Sequence, residues 1–243
     1  MAENRKYNLY FLAIGLKALI YMSLRHNIFK GLFFIKIRGE IMKKFLVMIC
    51  GLMAVIMVNY PAYAIHLKVC YKDKLCTLHA NNKVYNCTLG RNGVIDSRDK
   101  REGDGMTPAG TFNLVKAYYR ADKLPPSIIE SLQVPKEKIE QWSLWGDDSK
   151  KPETYNKYVD ARDYPNNNPP FSYENLIRDD GKYDLLFEIR YNHKRVPGLG
   201  SAIFLHISET STAGCVALKR EDFLYIAPQI TPTSKITITN DCK

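Results

Sequence analysis

GSAIFLHISETSTAGCVAL, residues Gly200 to Leu218, consists of two apolar runs separated by a polar interval. Ala202 to Ile207 and Cys215 to Leu218 have the length and composition of short buried strands, and Ser208 to Thr212 that of the loop between them. This reading makes the region mostly β and sets His206 and Cys215 on neighbouring strand ends. A thiol is a nucleophile only as thiolate, and an imidazole within hydrogen-bond reach is the base that produces it. An ion pair with that base would also lower the thiol pKa from its free value of about 8.5. Gly214 has no side chain, so a substrate carbonyl could approach the backbone there, and the amides of Gly214 and Cys215 could receive its developing negative charge. By spacing alone, a buried structural Cys and His is the commoner reading of such a pair.

The wording around the pair separates these readings. His206, a short loop and then Thr212-Ala213-Gly214-Cys215-Val216 resembles the active-site segment of the L,D-transpeptidase (YkuD-type) catalytic domain family. Upstream, Gly103 to Phe112 (GDGMTPAGTF) resembles that family's Thr-Pro-x-Gly-x-Phe segment, and Tyr191-Asn192 shortly before Gly200-Ser201 is a third match. The resemblance thus runs in the family's order over more than a hundred residues. The best-known members carry a second His before the Gly-Cys and an Arg two positions after the Cys, where this chain has Ala213 and Ala217. The His-to-Cys interval is also shorter here, as in a compact branch of the family.

The resemblance implies a β-sandwich with a small helical insertion, with Cys215 and His206 on its concave face. It implies peptidoglycan stem peptide as substrate, Cys215 as nucleophile, His206 as base, and the Ile207 carbonyl as the group that holds the imidazole tautomer. Thr212, Asn192 and Arg120 are the expected substrate contacts, with Lys219 and Arg190 as further candidate cations in place of the missing Arg. No metal and no organic cofactor is implied. His193, in the charged turn His193-Lys194-Arg195, is disfavoured as a proton acceptor because its charged form is repelled by its neighbours. Two other classes stay open: a peptidoglycan-binding protein of the same fold without turnover, and a disulfide-stapled structural domain. Within the enzyme class, cross-linking and trimming of the terminal D-Ala are both allowed.

The 243 residues carry a formal charge of +10, but its placement argues against a nucleic-acid partner. Residues 1–64 hold nine Lys/Arg and two Asp/Glu, which is +7, so the remaining residues contribute +3 without a dense basic run. Met42-Lys43-Lys44, the apolar run Phe45 to Val58 and Ala62-Tyr63-Ala64 have the order of a secretory signal peptide with its cleavage site. Residues 1–41 then read as a misassigned start or a non-structural extension. The competing reading keeps two apolar segments and anchors the protein in the membrane. With cleavage, residues 65–243 are one catalytic domain in the periplasm or cell envelope.

Five cysteines lie beyond Ala64. With Cys215 as a free thiol, Cys70, Cys76, Cys87 and Cys242 are an even set for two disulfides in an oxidising compartment, and three pairings are open. Short apolar–polar alternations from Ile65 to Leu89, punctuated by Asn81-Asn82 and by Gly90 to Gly93, predict antiparallel hairpins that continue into Gly110 to Val115. Helices are expected over Ser127 to Gln133, with Ser127 and Glu130 as a capping box, and over Lys136 to Trp145, with a helical turn at Ser172 to Leu176. Tyr183 to Tyr191 reads as a long buried strand.

Overall fold

The computed structural model describes residues 64–242, so the expected export signal and residues 1–41 lie outside the described residues. Strands β1 (His66–Lys72), β2 (Leu75–Ala80) and β3 (Lys83–Thr88) form an antiparallel meander. Its two-residue turns, Asp73-Lys74 and Asn81-Asn82, have positive φ at all four positions, the backbone whose twist matches that of the flanking strands. Strand β4 (Val94–Asp96) follows, then β5, 13 residues long (Thr107–Tyr119). After helix α1 (Pro126–Ser131) come β6 (Lys136–Lys138), β7 (Ser143–Gly146), β8 (Lys157–Asp160) and β9 (Tyr173–Asn175). The chain ends with β10 (Leu185–Ile189), β11 (Phe204–Ile207), β12 (Val216–Leu218), helix α2 (Arg220–Ile226) and β13 (Lys235–Thr239).

The main sheet runs β10-β11-β12-β3-β2-β1-β13-β5 and closes on itself, because β5 pairs with two partners. Its first half, Gly110 to Asn113, lies against β13, and its second half, Leu114 to Tyr119, against β10. The result is a mostly β, closed sandwich. Strand alternation gives β11 two faces. Leu205 and Ile207 enter the main core with Leu185, Phe187, Val216, Leu218 and Phe223 of α2. Phe204 turns the other way, into a second cluster with Tyr118, Trp145, Leu186 and Cys215. Full burial of one such large side chain contributes roughly 1.5–3 kcal/mol.

The second cluster is covered by the insertion between β5 and β10, and here the expected helices are largely replaced by strands. Lys136 to Trp145 is not a helix: Lys136–Lys138 pairs in parallel with the end of β5, and Ser143–Gly146 is the middle strand of a three-stranded sheet, β8-β7-β9. Ser172 to Leu176 is no helical turn either, since it contains the edge strand β9. The helix-like spacing of Ile139 and Trp142 is overridden because all four residues of β7 are buried, and strands on both sides satisfy its backbone. Helix α1 forms where expected, but Pro125 is its N-cap and Ser127 makes no side-chain cap. Disulfides join Cys70 to Cys242 and Cys76 to Cys87, and Cys215 is the free cysteine among the described residues. No described helix is long and apolar enough to cross a membrane.

Candidate active site

Strands β11 and β12 are parallel, with His206 opposite Ala217 and Leu205 opposite Val216. Cys215 therefore sits just ahead of β12 and His206 near the far end of β11, displaced by about 7 Å of strand rise. Both line one cavity of about 330 Å³. The turn that presents the cysteine is tied together by Thr212, whose hydroxyl donates to the Cys215 carbonyl at 2.7 Å and accepts the Gly214 N–H at 3.1 Å. The exit of β3 pins Thr212 in turn: its N–H donates to Leu89 and its carbonyl accepts from Arg91, both at 2.9 Å. A Cβ at Gly214 would stand 3.0 Å from the Met106 carbonyl, so the turn can come this close to Gly103–Phe112 only through glycine.

The thiol of Cys215 donates to the Ala202 carbonyl at 3.1 Å and accepts the Phe204 N–H at 3.3 Å. Ala202 has φ +53°, an uncommon conformation for a residue with a Cβ. The insertion holds it there: Asn156 accepts the Ala202 N–H, and Tyr155 accepts the Gly200 N–H while donating to Glu102. Nδ1 of His206 lies 3.0 Å from the Ile207 carbonyl, so it carries the proton and Nε2 is the ring's acceptor.

Burial sets the charge state of the pair. It pushes the His206 pKa down to about 4, against the pull of the Ile207 and Lys182 carbonyls. It pushes the Cys215 thiol up to about 12, with the Glu174 charge adding to the rise and the Phe204 N–H and the Lys100 charge opposing it. Burial thus acts on both groups against their charged forms, opposite in direction to the lowering of the thiol pKa that an ion pair would give. Both residues lie on the strand face that the insertion covers, where burial favours the neutral thiol and the neutral imidazole.

The other expected contacts divide. Thr212 and Gly214 line the cavity, and Ile207 stands behind His206. Asn192 does not line it: its side chain bonds Val196 and the Gly200 carbonyl and closes the 192–200 loop. Arg120 is also absent from the lining, buried with its guanidinium engaged by Asp122 and the Arg178 carbonyl. Lys219 borders a different depression and pairs with Glu221, and Arg190 and His193 are exposed. The cations that do reach the cavity are Lys100, Arg178 and Lys182, with Glu174 and Tyr183 beside them. No local motif marks these residues, apart from the nearness of Lys100 to the Gly103–Phe112 segment. Among the described residues, no group of three His, Cys, Asp or Glu is placed to hold a metal ion.

A family model of the L,D-transpeptidase catalytic domain, YkuD, matches residues 54–238, three quarters of the chain. The chain belongs to the L,D-transpeptidase family. This L,D-transpeptidase domain is similar to the solved L,D-transpeptidase from Mycobacterium smegmatis, with 10% identity over 72% of this chain and 59% of the other and a TM-score of 0.32. For L,D-transpeptidase 1 of Mycobacterium tuberculosis the figures are 12%, 72%, 62% and 0.30. The L,D-transpeptidase chain described here thus spans about six-tenths of the length of those structures. No curated protein matches it in sequence.

Proposed function

We propose that the protein is an exported cysteine L,D-transpeptidase that acts on peptidoglycan stem peptides through a thioester on Cys215. The observation that carries this reading is the shared cavity of Cys215 and His206, with Nδ1 held by the Ile207 carbonyl so that Nε2 is the acceptor. The two disulfides support export to an oxidising compartment. In this reading residues 42–64 are the signal peptide and residues 65–243 the catalytic domain.

With a neutral resting pair, proton removal accompanies attack instead of preceding it. His206 Nε2 takes the thiol proton as sulfur bonds to the carbonyl carbon of the residue before the terminal D-Ala, and negative charge moves onto the carbonyl oxygen. The Gly214 N–H is already engaged by Thr212, so the Cys215 N–H is the backbone donor assigned to that oxygen. The imidazolium then gives its proton to the leaving nitrogen, the C–N bond breaks, and D-Ala departs. An amine from a second stem peptide resolves the thioester in cross-linking, and water does so in trimming. Arg178 and Lys182 take the carboxylate-binding role that Arg120 cannot reach.

Mass spectrometry of a purified stem tetrapeptide incubated with the protein tests the proposal. The expected products are free D-Ala and either a cross-linked dimer or a tripeptide, with a transient acyl adduct on Cys215. Intact tetrapeptide without an adduct, or undiminished turnover by Cys215→Ala, overturns it.

A further inference from the structure

Lys100 is a buried cation in the wall of the active-site cavity. Its side chain is 2% exposed, and its ammonium donates to Asp104 Oδ1 at 2.8 Å and to the Arg101 carbonyl at 2.7 Å. Two glycines make room for it. A Cβ at Gly200 would lie 3.1 Å from Nζ, and one at Gly214 would lie 3.8 Å from Cε, so the lysine packs beneath both segments that frame the nucleophile. Asp104 is itself fixed by the N–H groups of Arg101 and Met106. Burying an ammonium carries a desolvation penalty even when it is paired. A packing role at this position would be filled more cheaply by a methionine.

We propose that Lys100 is a positioning residue for the reaction at Cys215, a fixed positive charge behind Gly214 that stabilises the negative charge developing on sulfur and on the substrate oxygen. The inference rests on Cys215 being the nucleophile. The charge matters because the other charged groups around the thiol are mixed. Glu174 of β9, Asp147 after β7 and Glu102 beside Lys100 are acidic, and Arg178 and Lys182 are basic. Tyr183 and His206 are the neutral titratable neighbours. Of these charges, Glu174 opposes thiolate formation and Lys100 favours it. Asp104 tempers the lysine by its own negative charge, so the Lys100–Asp104 pair sets how much positive field reaches the nucleophile.

The test is the rate of Cys215 alkylation by iodoacetamide in the disulfide-intact full chain, followed by mass spectrometry from about pH 7 to 10, where the rate tracks the thiolate fraction. This readout needs no peptidoglycan substrate, so failure of the proposed acyl transfer and failure of this inference are distinguishable. Lys100→Met should slow alkylation roughly tenfold at each pH, and Asp104→Asn should accelerate it several-fold, about the effect of moving the thiol pKa by one pH unit in opposite directions. Equal rates in all three proteins, or slowing in both variants, overturn the proposal, because a packing defect has no reason to change sign. If Lys100→Met does not fold, Asp104→Asn decides alone: acceleration upholds the proposal, and an unchanged or lower rate overturns it.

Discussion

Tyr183 meets His206 ring to ring at 5.3 Å and 89°, and its hydroxyl donates to Glu174 at 2.6 Å. The imidazole is thereby held by the Ile207 carbonyl at Nδ1 and by the Tyr183 ring at its side. Arg178 lies over the Tyr183 ring in turn, 5.1 Å from its centroid. Imidazole, aromatic wall and cavity cation therefore form one packed series.

Tyr183→Leu should lower the acylation rate roughly ten- to a hundredfold, because a misaligned base forfeits part of the 10²–10⁴ that a positioned proton acceptor contributes. Tyr183→Phe keeps the ring contact and should hold the rate within a few-fold. It should still cost about 1–2 kcal/mol of stability, since the Glu174 carboxylate loses a hydrogen-bond donor. Single-turnover acylation and urea unfolding separate the two effects. A rate in Tyr183→Leu equal to the parent's would show that the wall is unnecessary.

His206→Ala should slow acylation by roughly two to four orders of magnitude, while His193→Ala leaves it unchanged. Stability should carry a pH signature of the same histidine. Its folded pKa of about 4 lies below the ordinary 6.5, so between these values the unfolded chain binds the extra proton. The contribution, roughly 3 kcal/mol, is full above the unfolded value and is lost as pH falls through the folded one. Urea midpoints measured across this interval should fall less steeply in His206→Gln than in the parent. An equal slope would mean that His206 does not sense the burial seen here.

Alkylation of the denatured, unreduced mature domain should label Cys215 alone, and reduction should add Cys70, Cys76, Cys87 and Cys242. The two disulfides close loops of very different length, with sequence separations of 172 and 11 residues. Replacing both Cys70 and Cys242 by serine should therefore destabilise the protein about 2 kcal/mol more than replacing Cys76 and Cys87. Thermal unfolding of the two double variants checks the order, and the reverse order would locate the stabilisation in native-state packing instead.

Arg178→Ala and Lys182→Ala should raise KM for the stem tetrapeptide about ten- to a hundredfold, the equivalent of one lost charge-assisted contact of roughly 1.5–3 kcal/mol. Arg120→Ala should change stability more than KM, because its guanidinium serves Asp122 and the Arg178 carbonyl. Steady-state kinetics beside urea unfolding distinguishes these outcomes. A KM effect confined to Arg120→Ala would move the substrate carboxylate away from the cavity described here.

The β class was legible in the sequence because its causes are local. Alternation from Ile65 to Leu89 and the turn residues Asn81-Asn82 specify hairpins whatever they pack against. His206 and Cys215 could be paired for the same reason: they stand nine positions apart, and two apolar runs with a polar interval leave few other arrangements. Proton positions were not legible. The preference of both groups for their neutral forms depends on how far Tyr183, Trp145 and the rest of the insertion cover one strand face, and desolvation is a property of what covers a residue. The identity of β7 was hidden likewise, since burial on both faces overrode a helix-like spacing. Lys100, Glu174 and Arg178 reach Cys215 from segments up to about a hundred residues away in sequence. Only the closure of the sheet through β5 and the folding of the insertion over β10 and β11 bring those charges to the thiol.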